Sequence, residues 1–129
     1  MSLLSRIASL GAPLMIVGYF ILRIWIGGAV KEHVAAAKSL YPGTAEEALI
    51  AMLQDESISA NDKTNIVIWT LGQLHSDKAL PLLKELYRDD PDGTSCYGKH
   101  SVEICQYELH KAIESIEGNQ LISFAKLNK

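Results

Sequence analysis

IASLGAPLMIVGYFILRIWIGGAV, residues Ile7–Val30, carries one charge, Arg23. As a helix these 24 residues extend about 36 Å, more than the ~30 Å hydrocarbon thickness of a bilayer. A cleaved signal peptide is one alternative, with Gly27-Gly28-Ala29 as its small-residue site. A buried core helix is another, but one of that length needs a much larger protein around it. The stretch therefore reads as a single membrane span. Gly11-Ala12-Pro13 predicts a kink or a helix start, because proline lacks the backbone donor and clashes with the preceding turn. Ala8, Gly11 and Ala12 place small side chains on neighbouring turns, which permits close helix contact.

Arg23 needs an explanation, since a charge inside a span costs at least ~2.5 kcal/mol. In one reading the span runs from about Leu3 to Leu22, Arg23 snorkels to the headgroups and Trp25 sits in the interfacial belt. In the other, Arg23 pairs with a carboxylate, a carbonyl or a lipid phosphate within a larger membrane assembly. Arg6 and the α-amino group flank one end of the span; Lys31 and Lys38 flank the other, joined by Arg23 in the reading that makes it interfacial. The positive-inside rule leans slightly toward a cytoplasmic carboxy-terminal domain.

The remainder is different in kind. All 15 acidic residues lie at or after Glu32, so residues 31–129, with 10 basic and 15 acidic side chains, carry a net charge of -5. An acidic domain argues against a nucleic-acid partner, which requires a basic face. At 48% hydrophobic and 21% charged residues the chain is not disordered. Two cysteines are too few for a disulfide framework.

Lys31 to Leu40 continues as helix, and Tyr41-Pro42-Gly43 stops it, which divides the chain into an anchor, 1–40, and a domain, 41–129. Thr44-Ala45-Glu46-Glu47 is a capping box, followed by Ala45, Ala48, Leu49, Met52 and Leu53 at helical spacing. Val67, Thr70, Leu71 and Leu74 form one face of the next helix, and Ile66, Ile68 and Trp69 make its other faces apolar, as expected of a sandwiched helix. Ser76 caps a third, with Ala79, Leu82, Leu83, Leu86 and Tyr87 inward and Pro81 in its first turns. Ser101 caps a last long helix with Val102, Cys105, Leu109, Ala112, Ile113 and Ile116 inward, ended by Gly118-Asn119. Leu121, Phe124 and Ala125 form a short tail helix. No segment alternates with period two, so the fold class is all-α: one transmembrane helix, then a short stack of α-hairpins.

Leu49-x-x-Met52-Leu53 and Leu82-x-x-Glu85-Leu86 match at a spacing of 33, and Leu71-x-x-Leu74 and Ile113-x-x-Ile116 at 42, as stacked repeats would. Ile68-Trp69-Thr70-Leu71-Gly72-Gln73-Leu74, followed by Ser76-Asp77-Lys78-Ala79-Leu80-Pro81-Leu82-Leu83, resembles HEAT-like repeats of the phycobilisome-lyase type. The resemblance implies an α-helical scaffold that binds other proteins, with Gly72 allowing close helix crossing and Ala79 letting the next hairpin approach. With two units rather than the usual three, it also implies that the 31–40 helix, the tail or a partner completes the stack.

Candidate chemistry is sparse. Cys96, His100, Cys105 and His110 are zinc-type ligands within fifteen residues, but their spacing fits no standard finger, and Cys105 lies on the apolar stripe, where a buried thiol needs no metal. A Cys96–Cys105 disulfide pinning loop to helix is the better reading; in an oxidising space it would add ~2–3 kcal/mol. Asp89-Asp90-Pro91-Asp92-Gly93 lacks the alternating ligands of a calcium loop and reads as a solvated turn. His75 suits a helix end, Glu32 and His33 suit the headgroup region, and nothing orients a base for Cys96 and His100. No catalytic residue, cofactor or metal is expected. The expected role is an accessory or assembly subunit of a membrane complex, with the lipid bilayer and other protein subunits as partners. The alternatives are a lyase-like helper for a chromophore or cofactor, and a redox- or metal-responsive module using Cys96 and Cys105.

Overall fold

The computed structural model describes residues 3–96 and 102–127, with 3–10, 95 and 119–127 described by backbone alone. The described residues are helical, with no strand among them. They form two compact units, one ending at Glu32 and the other beginning at His33.

The first unit is the greater part of α1, Leu3–Leu40. Its backbone is helical well before Pro13, so the proline lies inside the helix rather than at its start, leaving one rung of the ladder without a donor. Within α1, Gly11–Leu40 is long and apolar enough to cross a membrane, and its most apolar stretch has no buried residue.

The second unit contains the last two turns of α1. Val34 and Ala37 pack into its core, and His33 is half-buried rather than at the surface. The helix ends at Leu40 as expected, and Gly43, at φ +119°, makes the turn that an L-residue would resist. The Tyr41 hydroxyl then donates to Asp55, tying the end of α1 to the end of α2. α2, Ala45–Gln54, opens on the expected capping box: the Thr44 hydroxyl accepts from the Glu47 N–H at 3.3 Å, and the Glu47 carboxylate accepts from the Thr44 N–H at 3.0 Å.

α3 spans 60–73 and is not a uniform helix. Ser59 caps its first turn, Lys63–Ile68 are wound as a π-turn, and Trp69–Gln73 return to α geometry. This is the sandwiched helix, with Val67, Ile68 and Leu71 fully buried. It ends in a Schellman arrangement: the Ser76 N–H reaches the Leu71 carbonyl and the His75 N–H the Gly72 carbonyl, with His75 at φ 50° where glycine is usual.

α4, Leu80–Leu86, begins later than the Ser76 cap implies. Ser76 is buried and accepts from the Ala79 N–H at 3.4 Å across an intervening turn, and Pro81 occupies the first turn of the helix. α5, Gln106–Leu127, starts later and ends later than expected. Val102 is 91% exposed and lies before the helix, not on its inner face. Gly118 is passed without a break, so the tail belongs to the same helix. Ser101 lies outside the described residues.

α3 packs on α2 and α5, and α4 packs on α5. The α3–α5 crossing is close: a Cβ on Gly72 would lie 3.1 Å from the Cα of Ala112. Leu49, Ile68, Leu71, Leu83, Leu109 and Ile116 are the large, fully buried side chains of the core.

Candidate functional site

Two features of the chain could serve a function, and they lie on different units. The first is the surface of α1. Leu14, Met15, Ile16, Val17, Tyr19, Phe20, Ile21, Leu22, Ile24 and Trp25 are each more than half exposed. Consecutive helical positions are 100° apart, so Leu14 through Val17 alone face every side of the helix. Arg23 is exposed on the same segment, with its guanidinium carbon 5.9 Å from the centroid of the Tyr19 ring, one turn toward the amino terminus. That direction follows from the tilt of helical side chains toward the N-terminus. It places the cation over a π-face, toward the middle of the apolar stretch and away from Trp25.

The second feature is the seam between α3 and α5, which is held by polar groups within an apolar interface. The His75 Nδ1 lies 3.0 Å from the Ser115 carbonyl, and the Ser115 hydroxyl donates to the Gly72 carbonyl at 3.2 Å. His75 thus bridges from the end of α3 to the middle of α5, a longer reach than its own helix's carbonyls. At the other side of α3, the Thr70 hydroxyl donates to Ile66 O inside the π-turn, so it accepts from His33 Nδ1 at 2.9 Å. The His33 ring also meets Trp69 edge to face, with centroids 5.7 Å apart. Trp69, Gly72, Gln73, Glu108, Lys111, Ala112 and Ser115 line an open cavity of about 200 Å³ along the seam.

Cys96 and Cys105 are joined in a disulfide, with Cα atoms 4.9 Å apart. As a bridged pair they offer no thiolate to a metal or a substrate. His110 turns elsewhere, stacking on Tyr87 and lying 3.4 Å from the Glu114 carboxylate. His100 lies outside the described residues, and among those described no three His, Cys, Asp or Glu side chains converge as a metal site requires. Asp89–Gly93 forms the expected turn, in which the Asp90 carboxylate accepts from the Thr94 N–H and hydroxyl.

Three polar anchors escaped sequence reasoning. Thr64, in the π-turn, accepts the Cys105 N–H at 3.1 Å. Gln106 is buried; its Oε1 accepts from the Arg88 N–H at 2.6 Å and its Nε2 donates to the Leu86 carbonyl at 3.3 Å, fastening the end of α4 to the start of α5. His33 is the third. Only a break in the apolar stripe could have marked Thr64, and nothing local marks Gln106 or His33.

Two carboxylates are held ionised by local hydrogen bonds. The Tyr41 hydroxyl, assisted by the Ser57 hydroxyl and N–H, holds Asp55 down to about 2, and the same bond raises the Tyr41 phenol. Glu47 is lowered by the Thr44 N–H and by Lys78. Both carboxylates act in capping and loop closure, and neither faces the cavity along the seam. No family model matches the chain, and no curated protein or solved structure matches it either.

Proposed function

We propose that the chain is a membrane-anchored accessory or assembly subunit of a multiprotein complex, held by α1 in a single pass and using residues 33–129 as a HEAT-like scaffold for other proteins. The observation that carries this reading is the exposure of ten large apolar side chains on all faces of one helix. One protein face could cover one side of such a helix; a bilayer covers every side at once. The direction of Arg23 supports a partner within the membrane. Over Tyr19 it points into the apolar stretch, where a carboxylate from another span would offset its cost.

For the second unit, the pairing of α3 with α5 and the close approach at Gly72 support stacked hairpins. The seam cavity of about 200 Å³ and the two of about 260 Å³ beside the Cys96–Cys105 bridge are each smaller than the ~300–1,000 Å³ usual for small-molecule sites, which favours a scaffold over the handling of a chromophore or cofactor.

The test is extraction. Membranes washed in alkaline carbonate should retain the full chain, and mild detergent should release it with defined protein partners by native mass spectrometry. Arg23→Leu should then lose partners without losing membrane retention. A chain that washes off in carbonate, or leaves detergent as a lone monomer, overturns the proposal.

A further inference from the structure

We infer that residues 33–129 lie on the oxidising, non-cytoplasmic side of the membrane, with the Arg6 end of α1 facing the cytoplasm. The inference rests on the membrane reading above and adds its polarity. Cys96 and Cys105 are the chain's two cysteines; they are joined, and neither is left free. The bridge is part of the packing. Cys105 is buried and its N–H donates to Thr64 of α3. Gly93, at φ +67°, sits so close that a Cβ there would lie 3.1 Å from the Cys96 sulfur and 2.5 Å from the Cβ of Tyr107. The described part of the connection between α4 and α5 has one helical turn, Thr94–Cys96, and that turn ends on the bridge.

Forming the bridge removes two protons and two electrons from two thiols. A protein disulfide of the exchange type accepts them and leaves as a dithiol. Such oxidants work in the periplasm, in secretory lumens and at the cell exterior, whereas glutathione and thioredoxin keep cytosolic pairs reduced. The opposing indicator is weak. Arg6 flanks one end of the apolar stretch and Lys31 and Lys38 the other, a difference of one charge in a rule that acts through larger asymmetries. A bridge around which Gly93, Tyr107 and Thr64 are packed outweighs one lysine. The proteins that dock on the scaffold are then extracytoplasmic, or extracytoplasmic parts of membrane proteins.

The experiment uses the full chain in cell membranes. Free thiols are blocked at harvest, and the denatured protein is tagged with a polyethylene-glycol maleimide before and after reduction. Two tags per chain should appear after reduction only. In a Cys96→Ser/Cys105→Ser background, Lys78→Cys, whose parent side chain is 58% exposed, reports sidedness even if the domain misfolds. Opening the cytoplasm alone, with any secretory lumen kept sealed, should raise its labelling by a membrane-impermeant maleimide no more than twofold over intact cells, and detergent should then label it in full. Thiols already blocked in the wild type, so that no tag appears after reduction, or labelling that rises tenfold when the cytoplasm alone is opened, overturns the inference while leaving the membrane reading standing. Release by carbonate overturns both.

Discussion

Residues 14–25 of α1 and residues 66–73 of α3 use the same side chains and meet opposite fates. Val17 is 54% exposed and Val67 0%; Leu22 is 53% exposed and Leu71 0%; Trp25 is 70% exposed, while Trp69 is half-buried against His33. Composition does not separate them. What separates them is company: α3 has α2, α5 and the end of α1 around it, each offering an amphipathic face, whereas the unit that holds residues 14–25 consists of one helix. α3 also carries Thr64, Thr70 and Gln73, and the two threonines are placed to bond neighbouring elements. The lesson is that an apolar helix is completed by its solvent, which is protein for one and lipid, in our proposal, for the other.

The comparison breaks most sharply under reciprocal substitution. Val17→Asp should cost roughly 3–4 kcal/mol of membrane insertion and strip the chain from carbonate-washed membranes, leaving thermal unfolding of the second unit unchanged. Leu71→Ala should do the reverse, lowering that unit's stability by about 2–5 kcal/mol with membrane retention intact. If Val17→Asp unfolds the second unit, or Leu71→Ala releases the chain, the two helices do not differ in solvent.

Gly93→Ala is next. It combines a left-handed conformation with a Cβ placed 2.5 Å from that of Tyr107, and should lower denaturant stability by about 2–4 kcal/mol. An unchanged midpoint would show that the connection is not packed on the bridge. Gly72→Ala probes the α3–α5 seam more gently. Its Cβ would meet the Ala112 backbone at 3.1 Å, for an expected loss of about 1–3 kcal/mol. A stabilised variant would mean that the seam has slack.

The smallest effect is in the pH profile. Asp55 has a folded value of about 2 against an ordinary 3.8. Native protein therefore binds fewer protons than unfolded protein between these values. The contribution is present in full above pH 4 and is lost as pH falls toward 2. Asp55→Asn should flatten that part of the stability curve, with no change in retention by the membrane. A curve of unaltered slope would remove the Tyr41–Asp55 tie from the account.

Much of this was legible in residue order, and the exceptions share a cause. Thr44 and Glu47 form their capping box because both partners lie within one turn. Tyr41-Pro42-Gly43 ends α1, and Gly93 takes its turn, because local backbone sterics suffice. The inward stripes of α2 and α4 follow from periodicity. The starts of α4 and α5 shifted because Ser76 is spent on a turn and because Gln106, bonded to Arg88 and Leu86, fixes where α5 begins. Gly118 failed as a stop because one glycine costs a helix only about 1 kcal/mol.

The order of residues determined, without any neighbour in view, that residues 7–30 form an apolar helical stretch, that the rest is acidic and helical, and that two cysteines stand nine positions apart. These follow from periodicity, charge count and length, which need only local chemistry. Tertiary structure alone decided that His33 belongs to the second unit, that His75 reaches across to Ser115, and that α3 widens at Lys63–Ile68. The π-turn falls in a run rich in β-branched residues, from Thr64 to Thr70, whose own helical preference is weak. In such a stretch the bonds to His33 and Cys105 from other parts of the chain settle the winding, and no reading of the stretch by itself contains them.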